Sequence, residues 1–426
     1  MNKNHKNIAW LLLEKSITMG VGLLTSIFIA RGLGTNDYGS YSYAISVYAL
    51  ISPLSALGLN AIIVRELTSK NKSIVMSNAF IMRFAGALIG SLFLLFLSAN
   101  YFITTTYDES YIIVLLSVAN LFTAINVVEF WFQSTVESRY TVKVRVFNTI
   151  IFGLLKIFLV YKNADLVLFG YVFALEIVSF SILLYLTYCY KVEAISLKEF
   201  KRDYATSLLQ NSKWLLLSSI AAIIYLKIDQ IMLAQYVSKS ELGIYAVAAR
   251  LSEVWYMFPI IIVQTLFPKL LKMRESDKVV YEKELQTLCN YLFGFSLIVI
   301  ALIFLFSPYI VPLFFGEQYI ASVEILKIHI VATVFIFVRA LLSKWFIAEG
   351  LFKYSLISQA LGALTNIVLN LALIPTYGIV GAAYATVISY SVASFWCLLL
   401  SKKTRRFAVI ISKAYTFPFQ FLFKVR

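Results

Sequence analysis

Apolar residues run along this chain in long blocks separated by short polar stretches. Each block is long enough to cross a bilayer as a helix, which takes about 20 residues. The pattern predicts spans at 8–30, 38–64, 76–99, 111–133, 143–161 and 165–189. A second set follows at 212–236, 241–267, 284–306, 325–348, 354–374 and 377–400. Twelve helices therefore take up most of the chain, and no connection between them is long enough to hold a soluble domain. The first block is too long for a cleaved signal peptide and has a counterpart later in the chain.

That counterpart is part of a repeat. "WLLLEKSITMGVGLLTSIFIARGLGTNDYGSYSYA" from Trp10 lies over "WLLLSSIAAIIYLKIDQIMLAQYVSKSELGIYAVA" from Trp214 without a gap. Trp10 meets Trp214, Gly39 meets Gly243, Tyr41 meets Tyr245, Ala44 meets Ala248, and Asp37 meets Glu241. Pro53 and Pro259 then fall at nearly corresponding depths, and each is expected to kink its helix by removing an intrahelical hydrogen bond. The expected architecture is all-α and integral to the membrane. It has an N-terminal lobe of six helices over 1–199, a C-terminal lobe of six over 200–400, and a basic tail over 401–426. Parallel repeats of this kind are a transporter design.

The loop from Ala30 to Ala44 holds Gly32, Gly34 and Gly39, but its second copy keeps only Gly243. A phosphate cradle needs its glycines for close backbone approach, so the loop reads as a tight helix–helix turn. Gly39 and Gly243 are expected to end that turn. Asp37 and Glu241 lie near the start of the next helix, where negative charge is favoured.

Charge fixes the expected orientation. The net charge is +15, and the cations sit almost entirely in the N-terminus, the connections after even-numbered spans and the tail. The opposite set of connections holds only Arg31, Lys162 and Lys239. This is the positive-inside pattern with both termini cytoplasmic, and it leaves no nucleic-acid footprint. Trp10, Trp131, Trp214, Trp345 and Trp396 lie near the cytoplasmic span ends, where an aromatic belt belongs. Mean hydropathy is +0.82 and only 14% of residues are charged. Cys189, Cys289 and Cys397 are too few and too scattered for a disulfide framework. With His5 and His329 the only histidines, no metal site and no histidine-based catalytic site is expected. The tail is broken by Lys413 and Pro418 and fits an interfacial helix beside anionic lipid.

Three segments carry a family resemblance. "RGLGTNDYGSYSYA" resembles the first outer loop of the polysaccharide-exporter family, the bacterial flippases of lipid-linked O-antigen and capsule repeat units. "GIYAVAARLSEVWYMFPIIIVQTLFPKL" (243–270) resembles that family's eighth helix. "NIVLNLALIPTYGIVGAAYATVISY" (366–390) resembles its signature across the last two helices, with Asn370, Pro375, Gly378, Gly381, Ala382 and Thr386 in place. The resemblance implies the fold of the multidrug/oligosaccharidyl-lipid/polysaccharide exporter superfamily, two six-helix bundles around a V-shaped cavity. The implied substrate is an undecaprenyl-diphosphate-linked oligosaccharide, carried across the bacterial inner membrane. No cofactor is implied. A repeat-unit polymerase and a chain-length regulator are the protein partners such a role calls for.

Ionisable residues deep in a span are costly and mark a cavity or a partner. At 1.5 Å per residue, Asp229 lies about 10 Å and Arg250 about 14 Å below the outer ends of their spans. Arg339 is near mid-depth, and Arg83 and Lys15 each lie about 10 Å above a cytoplasmic end. Arg83, Arg250 and Arg339, with Lys15 in support, are the candidate path for a diphosphate headgroup, because the arginine fork binds two phosphate oxygens. Arg250 and Glu253, three apart, can also pair with each other. Asp229, Glu176 and Glu253 are the candidates for coupling to an ion. Glu129, Lys156 and Lys344 are expected to snorkel to the interface.

Two other classes stay open on these residues. A multidrug or cation exporter of the same superfamily predicts fewer buried cations and a dominant acidic site. A membrane glycosyltransferase or polymerase predicts a soluble catalytic domain or a long outer loop with catalytic residues. The longest outer connections, about 100–110 and 307–324, are short and hold no Lys or Arg.

Overall fold

The computed structural model describes residues 3–99 and 106–423, and every regular element among them is helical. Residues 100–105, part of the outer connection expected at about 100–110, lie outside the described residues, as do 424–426 of the tail. By its internal contacts the chain divides into two compact units, Met1–Gly243 and Ile244–Arg426.

Unit 1 contains α1 (Lys3–Ala56), α2 (Asn60–Leu67), α3 (Lys72–Ala99), α4 (Tyr107–Phe122), α5 (Val128–Ser134), α6 (Arg139–Tyr161), α7 (Leu166–Lys191) and α8 (Arg202–Tyr236). It ends within the first turns of α9 (Lys239–Glu253). Unit 2 contains the rest of α9, then α10 (Met257–Ser276), α11 (Lys278–Phe315), α12 (Ser322–Ile330), α13 (Thr333–Ala348), α14 (Phe352–Ser394) and α15 (Lys402–Phe423).

Nine helical stretches among the described residues are long and apolar enough to cross a membrane, and ten if α12 and α13, bent by 40°, form one broken span. Two of these, Ala9–Ala56 with 48 residues and Phe352–Leu400 with 49, would be about 70 Å long as straight helices. That is more than twice the ~30 Å hydrocarbon core. Each is interrupted by a glycine outside helical geometry: Gly34 at φ 76° and ψ 177°, Gly378 at φ 53° and ψ −133°. Read as two crossings each, they complete the twelve spans that the apolar pattern predicts.

The two proline positions act as stops more than as kinks. Span 2 does not run to residue 64. Three residues after Pro53 the helix ends at Ala56, turns through Leu57 (φ 51°) and Gly58 (φ 63°), and resumes as α2. Pro259 sits in the first turn of α10, where its missing N–H costs nothing, after a short 3₁₀ turn at Val254–Tyr256.

Burial is inverted relative to a soluble protein. Phe84, Leu88, Ile89, Leu92, Phe93 and Phe96 of α3 are all exposed, as a lipid-facing stripe requires. Ser91 on the same helix is buried and donates to the Ser117 carbonyl of α4 at 2.6 Å. Asn120 of α4 donates to the Ala87 carbonyl at 2.9 Å and accepts from Ser55 at 3.0 Å. Small polar residues thus join the helices inside unit 1, where lipid offers no partners. The chain is a multi-pass integral membrane protein.

The tail differs in detail from its expectation. α15 packs along α11, burying Phe407, Ala408, Ile411 and Ala414. Trp345, expected in the aromatic belt, is 3% exposed and packs against Phe407 with ring centroids 4.9 Å apart. It is a core residue of unit 2.

Candidate functional site

The loop around Gly34 is a close-contact device. Gly34 makes the turn, and Gly39, expected to end it, is helical. A Cβ on Gly39 would stand 2.0 Å from the Lys239 carbonyl oxygen, and one on Gly243 would stand 2.0 Å from that of Thr35. Ser240 donates to Thr35 Oγ1 at 2.7 Å. The glycine backbones face another backbone and leave no room for a phosphate. Beside this contact the Glu109 carboxylate, fully buried, binds Lys239 Nζ at 2.8 and 3.0 Å and caps α4 by accepting from Thr106 N at 3.1 Å.

The cationic site lies toward the other end of unit 1, about 30 Å along α1 from Gly34. There α2, α3, α5, α6 and α7 surround a cavity of about 570 Å³, whose wall includes Asn60, Arg83, Glu129, Gln133, Arg145 and Phe180. Arg83 is 7% exposed. Its guanidinium lies 5.4 Å over the Phe130 ring and donates weakly, at 3.3 Å to Asn60 Oδ1 and 3.4 Å to the Thr123 carbonyl. Its Nε is buried without a hydrogen-bond acceptor. Both acceptors are neutral; among the described residues Glu14 and Glu129 pair with Arg145 instead.

Arg145 is held between two carboxylates, Nε to Glu14 Oε1 at 2.8 Å and Nη2 to Glu129 Oε2 at 2.8 Å. Phe180 lies 4.3 Å beneath its guanidinium, and Gln133 donates to the free oxygen of Glu129 at 3.3 Å. Two arginines and two carboxylates therefore share one small space. The set is neutral overall but uneven, with Arg145 doubly paired and Arg83 facing Glu129 from beyond ion-pair distance.

The other expected residues are dispersed. Lys15 is exposed on α1, next to Glu14. Glu176 forms an ion pair with Lys156, which is 7% exposed, so Lys156 does not snorkel. Glu129 does not snorkel either, because Arg145 holds it in the cavity wall. Lys344 is half-buried, 5.4 Å over the Phe267 ring. Asp229 is 3% exposed and accepts from the Gln230 amide at 2.8 Å. In unit 2, Arg250 is exposed near the end of α9 and Glu253 is half-buried three residues on. Arg339 is buried, and its guanidinium donates to the Ala393 carbonyl and to Ser358 Oγ, the latter at 3.3 and 3.4 Å.

Arg145 is the residue that depth alone passes over, and Glu14, an ionisable residue well inside span 1, is given no role by depth. Arg145 lies two positions inside the predicted start of span 5, where any basic residue reads as orientation charge. A signal was present. Glu14, Glu129 and Arg145 all stand within two turns of the same predicted membrane face. Two carboxylates at one depth need a cation at that depth.

Comparison with known proteins gives this arrangement a context. The family model described as polysaccharide biosynthesis protein matches residues 5–274. That of the lipid II flippase MurJ matches residues 194–420. A probable flippase, AglR of Haloferax volcanii, is 27% identical over 202 residues, covering 45% of this chain and 41% of that protein. The match thus spans about two fifths of that relative's length. A putative O-antigen transporter of Shigella flexneri is 22% identical over 397 residues, 89% of this chain and 93% of that one. Among solved structures, the lipid II flippase MurJ in an inward closed conformation superposes with a TM-score of 0.74 at 16% identity, over 97% of this chain and 92% of that chain. At that identity the likeness establishes the fold.

Proposed function

The chain belongs to the polysaccharide biosynthesis protein family, and we propose that it is a flippase for a lipid-linked oligosaccharide. In the finer reading the carrier is undecaprenyl diphosphate and the glycan is a repeat unit of the O-antigen or capsule type. Passage is from the cytoplasmic to the outer leaflet of the cell membrane, by alternating access, with both termini cytoplasmic. A polymerase and a chain-length regulator would take the product onward.

One observation carries this reading: among the described residues Arg83 is a buried cation with no carboxylate within ion-pair distance, in the wall of a polar cavity where the nearby Glu129 is already held by Arg145. Burying an unpaired charge is expensive, so such a group is kept where an anion completes it. A lipid diphosphate brings about two negative charges, and its oxygens match the guanidinium fork. Each guanidinium also lies over an aromatic ring, Phe130 for Arg83 and Phe180 for Arg145, a contact that favours a cation in the cavity wall. The inside-negative membrane potential favours outward movement of an anion by about 2.3 kcal/mol per charge per 100 mV. Lys15, Arg250 and Arg339 remain candidates for separate headgroup contacts, each judged by its own alanine variant.

Binding of a short prenyl diphosphate to the purified protein tests the reading. The wild type should bind it at least about tenfold more tightly than the matching prenyl alcohol. Arg83→Ala should lose that preference, and Arg83→Lys should keep part of it, because lysine offers a point charge without the fork. Equal affinity of wild type and R83A for the diphosphate overturns the assignment.

A further inference from the structure

The cavity already contains an anion that competes for its second arginine. Arg145 Nη2 is occupied by Glu129 at 2.8 Å and Nε by Glu14 at 2.8 Å. The two carboxylates are not equivalent. Glu14 is 8% exposed by side chain and lies behind Arg145, whereas Glu129 is 22% exposed and forms part of the cavity wall. We infer that Glu129 is an internal stand-in for the headgroup, displaced from Arg145 as a neutral acid when the diphosphate enters.

Charge counting drives the inference, which rests on the headgroup reading above. Glu14, Arg83, Glu129 and Arg145 sum to zero when all are ionised. A dianion added to this set would leave two uncompensated negative charges in the cavity, with the phosphate next to Glu129. Like charges a few ångströms apart favour protonation of one of them. One proton taken up from bulk solvent converts the Glu129 carboxylate to the neutral acid and removes the repulsion. It also frees the Nη2–H of Arg145 for a phosphate oxygen. Headgroup contact then involves two arginines instead of one.

The surroundings of Glu129 suit this exchange. The charged groups facing it are Arg145 from α6 and Arg83 from α3, with Glu14 and Lys15 on α1 behind Arg145. α2 and α7 present Asn60, Val64 and Phe180, none of which titrates. Gln133, one turn along α5, donates to Glu129 Oε1 at 3.3 Å. Its amide also carries an acceptor oxygen for the new carboxyl proton. Every neighbour can thus stay in place while one proton and one hydrogen bond change hands.

The exchange predicts that diphosphate binding takes up a proton at Glu129. In weakly buffered solution with a pH indicator, the wild type near pH 7 should take up close to one proton per prenyl diphosphate more than Glu129→Gln does. The difference cancels protons taken by the ligand itself. Wild-type affinity should strengthen by up to about tenfold per unit fall in pH relative to E129Q, as linkage to one proton requires. Infrared difference spectra of the wild type alone should show a new protonated-carboxyl band on ligand addition, which keeps the test open if E129Q does not fold. Equal proton uptake and equal pH slopes in the two proteins, or no carboxyl band, overturn the exchange while leaving the headgroup site standing. No binding by either protein at any pH overturns the headgroup site itself, and this inference with it.

Discussion

Gly39 and Gly243, 204 residues apart, lie against each other's loops in a reciprocal contact. The Gly39 position points at the carbonyl of Lys239, and the Gly243 position points at the carbonyl of Thr35. Thr35 and Lys239 are themselves equivalent in the repeat, so the contact obeys the same offset that relates the two copies. It holds within unit 1, whose last residue is Gly243.

A methyl group at either glycine must push backbone apart. Gly39→Ala and Gly243→Ala should each destabilise the protein by about 1–3 kcal/mol, the usual range for overpacking. Gly20→Ala and Gly294→Ala are the controls. Both sit in helices with nothing within 4 Å of the added carbon, and they should be neutral or stabilising by up to about 1 kcal/mol. Thermal unfolding in detergent ranks the four. Equal Tm values across the set contradict the close contact.

The Glu109–Lys239 pair beside it is a structural bond. Glu109→Ala strands the Lys239 ammonium, 16% exposed by side chain, and should cost about 3–5 kcal/mol. Removing both charges with E109Q/K239M should restore much of the loss, because neither half is then left alone. A double variant as unstable as E109A contradicts that account.

Glu66 gives a pH signature outside the spans. Burial alone would raise its carboxyl, but hydrogen bonds from Lys70, Tyr204 and Arg65 outweigh it and leave the group below the ordinary carboxylate value. A depressed folded-state value means stability present above the unfolded value of about 4.3 and lost as pH falls through the folded one. The Tm gap between wild type and Glu66→Gln should therefore be largest near neutral pH and close below about pH 4. Lys70 and Arg65 are largely exposed, so the whole effect should stay near 1 kcal/mol or less. A gap that widens on acidification contradicts it.

Asp229 separates coupling from folding. Asp229→Asn keeps the side chain's size and an acceptor for the Gln230 N–H while fixing the neutral state, so a pure coupling role leaves folding and prenyl diphosphate binding normal. As a coupling acid, Asp229 should be needed for stimulation of flipping by an imposed proton gradient. Gradient-stimulated flipping by D229N at the wild-type rate removes it from that role.

Depth along the membrane was legible in the sequence, and rotation about each helix axis was not. Apolar block lengths placed the twelve crossings, and the glycines at 34 and 378 supplied the breaks. Arg83 stood out because a cation so far from a span end has few innocent explanations. Arg145 did not, because near a span end orientation charge and site charge look alike. Trp345 shows the same limit: its depth fits an interfacial belt, but its face of α13 turns to Phe407. The shared depth of the adjacent Glu14 and Lys15 likewise concealed that one is buried and the other exposed, since neighbours on a helix point about 100° apart. Partners on different helices appear only when those rotations are fixed together.

In the proposed function, this chain moves a lipid-linked anion through a cavity that depends on Arg83. Proteoliposomes loaded with a fluorescent prenyl-diphosphate-linked oligosaccharide, quenched from outside by a membrane-impermeant reductant, measure that movement directly. With an inside-negative potential imposed, wild-type protein should expose inner-leaflet lipid to the quencher far faster than protein-free vesicles do. Arg83→Ala, inserted at equal density and with unchanged Tm, should fall close to the protein-free rate. Wild-type vesicles that flip no faster than empty ones, or R83A that flips at the wild-type rate, would contradict the account.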